Sequence, residues 1–116
     1  MKVRVSEAVG PVLDWMVAKC ESEYGLDDAD RFLRDHRIGF TTRYSTTWSQ
    51  AGPIIDREFI TLTGWRSPQR DVRVAGIETA TRSFTCMGPT SLIAAMRCYV
   101  ASKLGDEVEV PEELMS

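Results

Sequence analysis

A chain of 116 residues, 43% of them hydrophobic and 27% charged, holds enough apolar side chains for one core and too few residues for two. That mixture excludes a disordered tail. No apolar run approaches the roughly 20 residues of a membrane-crossing helix, and the opening Met-Lys-Val-Arg-Val-Ser-Glu lacks the apolar core of a signal peptide. A net charge of −3 disfavours a nucleic-acid phosphate backbone as partner, and the odd, widely spaced Cys20, Cys86 and Cys98 suit neither a disulfide framework nor a zinc ribbon.

The expectation is a single cytoplasmic domain over residues 1–116, with a polar insertion near 21–37 and a short acidic tail near 106–116. Lys2 to Val5 alternates charged and β-branched residues, which predicts a short strand with Val3 and Val5 facing the core. Val9, Leu13, Met16, Val17 and Cys20 then recur at helical spacing; either Ser6 opens one loose turn that bends at Pro11, or Gly10 precedes a helix with Pro11 in its first turn, and the second start suits the regular part. Trp15 falls outside that stripe, covering the edge of the core or lining a cleft. Gly25 ends this helix, and a short one follows near Asp28 to Asp35, capped by Asp27 and anchored by Phe32 and Leu33. Its charges read as a solvated face, and the neighbouring Asp35 and His36 do not face each other as an acid–base pair would.

From Ile38 to Pro53 hydroxyls and aromatic rings replace aliphatic side chains, which predicts a long functional loop. Ser45, Thr46, Thr47, Ser49 and Gln50 offer hydrogen bonds there, and Phe40, Tyr44 and Trp48 offer flat surfaces for a ring. A surface loop pinned by its own aromatics explains the same composition. Gly52-Pro53 turns the chain into a strand that begins at Phe59. A polar connection, Thr63 to Arg70 with Trp65 in it, leads to a second strand over Asp71 to Ile77, and Thr79 to Met87 is a third strand candidate. The clearest helix runs from Gly88 to Leu104, with Pro89 at its first position and Gly105 as its stop. Leu92, Ala95, Met96, Tyr99 and Lys103 form one side, and Ile93, Val100 and Leu104 widen it into a face that suits a sheet. The tail adds a brief extended edge before Pro111. The fold class expected is therefore α+β, a small antiparallel sheet packed by an N-terminal and a long C-terminal helix.

The N–H groups at Thr90, Ser91 and Leu92 open the last helix where its dipole favours an anion, although water or the Thr90 hydroxyl satisfies such groups equally well. If the loops Thr41 to Pro53 and Gly64 to Arg70 converge on that helix start, an anion meets Thr90 and Ser91 with Arg57, Arg66 or Arg70, while a ring stacks on Trp48 or Tyr44. The candidate ligand-binding set is Tyr44, Thr47, Trp48, Gln50, Arg57, Trp65, Thr90 and Ser91. Recognisable catalytic motifs are missing, so no catalytic residue, metal or cofactor is assigned. Asp14, Asp56 and Glu58 remain an acid–base set that only three dimensions can assemble, and Arg57 is equally well read as the ion-pair partner of Asp56 or Glu58.

Leu13-Asp14-Trp15-x-Val17-Ala18-Lys19, the run Trp48-Ser49-Gln50-Ala51-Gly52-Pro53-Ile54-Ile55-Asp56-Arg57-Glu58, and the whole of Gly88 to Gly105 together resemble the small NinX-like proteins of tailed phages and prophages. The likeness covers most of the chain, with Glu21 to Arg37 and Gly64 to Ala80 as variable parts and Pro11 as a departure. It implies an accessory protein in the cytoplasm of a bacterial host and brings no catalytic residues with it. By analogy with small phage accessory proteins, the expected role is counter-defence: binding and sequestering a small phosphorylated, nucleotide-derived signalling molecule without catalysis. The alternative is an inhibitor that binds a bacterial defence protein directly through the acidic insertion and tail, and a nucleotide-cleaving enzyme stands third. A homo-oligomer is expected, and no membrane.

Overall fold

The computed structural model describes residues 1–39, 43–66 and 71–115, without the side chains of Trp65 and Asp71. Its elements are β1 (Lys2–Arg4), α1 (Gly10–Ser22), α2 (Ala29–Arg37), α3 (Trp48–Arg57), β2 (Thr61–Arg66), β3 (Asp71–Glu78), β4 (Ser83–Gly88), α4 (Ser91–Leu104) and β5 (Glu107–Glu109), with 3-10 turns at Val5–Glu7 and Glu112–Met115. The fold is α+β, as the periodicities require. β2, β3 and β4 form an antiparallel sheet with β3 in the middle, and β1 pairs antiparallel with β5 as a separate ribbon.

Alternation in β3 and β4 decides which face of the sheet is covered. Ala75 and Ile77 lie opposite Cys86 and Phe84 and turn inward, while Val74 and Gly76 lie opposite Met87 and Thr85 on the other face. Helix α4 packs on the inner face and α1 packs on α4. The helix is therefore central: Leu92 and every residue from Ala94 to Ala101 are buried, including Arg97. The broad stripe predicted from the sequence understates this, because the sheet, α1 and the turn at Val5–Glu7 enclose the helix on several sides.

Its two ends are set by local chemistry. Gly105, with φ of +91°, takes the left-handed backbone that ends the helix. At the start, β4 runs through Gly88 and Pro89 stands outside the helix; Thr90 is the cap, its Oγ1 accepting from Ile93 N at 3.1 Å. Proline is not the first helical residue here because the strand must finish first. Gly88 permits the tight transition: a Cβ there would lie 2.8 Å from Ala94 N.

Three other expectations change. Asp28, not Asp27, caps α2 through Oδ1, accepting from Asp30 N at 2.9 Å and Arg31 N at 3.2 Å. Asp27 instead accepts from Tyr44 Oη at 2.7 Å and from Arg31. The hydroxyl-rich loop is helical from Trp48, with Gly52-Pro53 inside α3; burial of Ala51 and Ile54 offsets the hydrogen bond an interior proline forgoes. Phe59, with φ of +53° and 85% exposed, ends that helical segment, and β2 starts at Thr61.

Candidate functional site

The short segment before α3 is fixed from three sides. Ser45 N donates to Asp14 Oδ1 at 2.8 Å, Tyr44 Oη donates to Asp27, and Arg43 N donates to Gln50 Oε1. The carbonyl of Arg43 accepts from Thr46 N and Thr47 N at 3.0 and 2.9 Å, closing the turn that delivers Thr47 as the α3 cap. Trp48 follows at once, 56% exposed. An exposed indole on a segment held this firmly loses little freedom when a ring stacks on it.

Across from it stands the start of α4. Ile93 N is satisfied by Thr90 Oγ1 and Ala94 N by the Thr90 carbonyl at 3.0 Å, whereas Ser91 N and Leu92 N occupy helix positions that have no intrahelical acceptor. Trp48, Thr90 and Ser91 line one groove of about 450 Å3, together with Ser45, Thr46 and Arg73. That volume suits a small organic ligand. Arg73 reaches the groove because it pairs with Gly88 across the sheet, on the helix-facing side of β3. Ser45 is buried, and its Oγ has no hydrogen-bond partner among the described residues although the Asp14 carboxylate lies close by.

The remaining predicted residues have other places. Tyr44 is buried and spent on Asp27, Gln50 holds the turn, and half-buried Thr47 caps α3 without a side-chain cap bond. Arg57, at the far end of α3, is bound to Glu21 Oε1 at 2.9 Å, Glu58 Oε2 at 3.0 Å and Tyr99 Oη at 3.1 Å. The ion-pair reading of Arg57 is the one the geometry supports. Trp65 lies in β2 opposite Val72, its side chain outside the described residues, as is all of Arg70. Ser45 and Thr46 are among the hydroxyls that the sequence offers in this loop, outside the candidate set, and Arg73 is a groove residue that sequence reasoning missed. For Arg73 the signal was present, since it shares the alternation of Ala75 and Ile77.

Of the acid–base set, Glu58 is held by Arg57 and by Lys103 at 3.1 Å, Asp56 is exposed, and Asp14 faces Ser45. His36 stacks on Phe32. Burial pushes the Asp14 carboxyl above its usual range, against the hydrogen bond from Ser45 N and the charge of Arg43. A carboxyl whose folded pKa is raised contributes stability below its unfolded pKa and loses it as pH rises through the folded value. Asp14→Asn keeps an Oδ1 acceptor for Ser45 N and carries no charge. The variant is expected to exceed the parent in stability at neutral pH and to converge with it in acid, as read from urea midpoints across that range.

The family model described as Bacteriophage P22, NinX matches residues 4–103, a span that contains both walls of the groove. The chain belongs to this NinX family. No curated protein matches it. Family membership makes it a phage protein, and among the described residues no helix is long and apolar enough to cross a membrane. The matched span ends at Lys103, before β5 and the acidic tail.

Proposed function

We propose that this NinX-family protein binds, without turning it over, a small phosphorylated ligand with a flat ring, and sequesters it in the cytoplasm of the bacterial host as a counter-defence measure. One observation carries the reading: the exposed indole of Trp48 and the open start of α4 share a groove, with Arg73 in its wall. Stacking and anion recognition are the two demands of a nucleotide-derived signal. The ring rests on Trp48, and the phosphate takes the Ser91 and Leu92 N–H groups with charge support from Arg73.

Titration with mononucleotides and cyclic dinucleotides, followed by indole fluorescence, tests this directly. Trp48→Ala is expected to weaken binding by about 10- to 100-fold with the thermal midpoint unchanged, because the ring lies outside the core. Equal affinity in the folded variant rejects the proposal. Native mass spectra of protein purified from cells with an activated nucleotide-signalling defence read the bound molecule and the number of copies in a homo-oligomer. Recovery of a chemically altered product would instead establish turnover.

The inhibitor reading draws on a different contact. Arg37 Nε and Nη2 donate to Glu113 Oε2 and Oε1, each at 2.8 Å, and so join the acidic insertion to the acidic tail on one surface. Charge reversal at Asp30, Asp35 and Glu112 abolishes activity under that reading and leaves it intact under sequestration.

A further inference from the structure

The groove just described leaves another cavity unused, on the far side of Pro89. It measures about 730 Å3 and is lined by Ser6, Val72, Thr85, Met87, Cys86 and Arg97. Its composition is mostly apolar, with one cation in the wall. Arg97 is only 7% exposed, and its contacts are carbonyls: Nε donates to Ala8 O and Nη1 to Met87 O, both at 2.9 Å. No carboxylate pairs with it among the described residues. The Cys86 thiol lines the same cavity wall as Arg97.

Cys86 is half-buried on β4, with its side chain toward α4. There it faces Cys98, fully buried on the next element, whose Sγ reaches the β4 backbone. The Cys98 S–H donates to Phe84 O at 3.4 Å, two residues before Cys86 on the same face of β4. A thiolate at Cys86 would thus receive an S–H from Cys98 and the field of a buried guanidinium, and both favour the charged form. The Cys98 hydrogen bond and the Arg97 charge hold the Cys86 thiol below its usual range, against burial and the charge of Asp106, while the hydrogen bond to Cys86 and burial push Cys98 up. The other charged groups near Cys86 are Arg4 on β1 and Glu107 on β5, which line a smaller depression on its opposite side.

We infer that Cys86 is a nucleophilic modification site for hydroperoxides at the wall of this cavity, with Cys98 as its resolving thiol. The Cys86 thiolate attacks the terminal oxygen of the hydroperoxide: an S–O bond forms, the O–O bond breaks, and the hydroxide of hydrogen peroxide, or the alkoxide of an organic hydroperoxide, leaves and takes up a proton as water or alcohol. The Cys98 sulfur then displaces the sulfenic oxygen. An S–S bond forms, the S–O bond breaks, and the oxygen leaves as water with the proton from Cys98. Two electrons pass from the sulfur pair to the peroxide, and the product ties β4 to α4. Cys20 provides the internal control, since it is buried outside this cavity wall and burial pushes its thiol up to about 12.

Limited hydrogen peroxide treatment of the folded protein, an iodoacetamide quench and peptide mapping test the assignment. Expected are a Cys86–Cys98 linked peptide and, without peroxide, alkylation of Cys86 more than about tenfold faster than of Cys20. In Cys98→Ala the linked peptide is lost, dimedone traps the sulfenic acid on Cys86, and the pH midpoint of Cys86 alkylation rises. Should that substitution perturb the fold, Cys98→Ser supplies the same loss of linkage in a closer isostere. Cys86 alkylating no faster than Cys20, or peroxide giving no linked peptide in the parent protein, overturns the assignment.

Discussion

Replacing Arg57 with methionine is expected to destabilise the protein by about 3 to 5 kcal/mol. Arg57 answers Glu21, a carboxylate 2% exposed whose second oxygen, Oε2, already has no hydrogen-bond partner among the described residues. Removing the guanidinium would leave that charge buried and without its cation. The same substitution ends the bonds to Glu58 and to Tyr99 Oη and lifts the guanidinium off the Tyr24 ring, whose centroid is 5.0 Å away. Because the Arg57 side chain keeps 32% exposure, water screens part of the loss and the lower end of the range is favoured. Adding Glu21→Gln should recover much of it, since the double variant buries no charge. A loss under about 1 kcal/mol in urea would mark this as an ordinary surface pair. The network also shapes the acid limb of stability. Burial would raise the Glu58 carboxyl, but hydrogen bonds from Arg57 and Lys103 prevail and hold it below its usual range. Its contribution is present above the unfolded carboxyl pKa and disappears as pH falls through the lower, folded value.

Ala94→Glu is expected to cost more than about 4 kcal/mol and to remove the cooperative thermal transition. On the helical stripe read from sequence, Ala94 falls outside the apolar side, where a glutamate is a good helix former and close to neutral. In the fold it is fully buried in the core, and its backbone N already lies where Gly88 could not add a Cβ. The site holds neither room for a carboxylate nor a partner for its charge. Circular dichroism melting that stays within about 1 kcal/mol of the parent would mean that this side of α4 is open. Since the start of α4 is one wall of the candidate groove, the outcome also tests how firmly that wall is held.

How far the site was legible depends on the range of the interaction concerned. Trp48, Thr90 and Ser91 were read from composition and helix-end rules, and they do share a groove. Tyr44 and Gln50 were read from the same composition and are spent inside the fold, because a hydroxyl or amide that suits a ligand suits Asp27 or a backbone N–H equally well. Arg57 and Arg73 have the same chemistry in the sequence. Only packing sends one to Glu21 and the other to the start of α4.

By itself the sequence determined the kinds of element and most of their limits: α1 with Pro11 in its first turn, alternation along β3, and α4 ending at Gly105. These follow from backbone dihedrals and side-chain periods, which neighbours along the chain set. The tertiary structure decided that α3 runs through Gly52-Pro53, that α4 is enclosed on nearly every side, and that Cys86 and Cys98 face each other between β4 and α4. Those outcomes depend on apolar burial and on charges taken out of water, whose energies exceed local propensity and whose partners lie far apart along the chain.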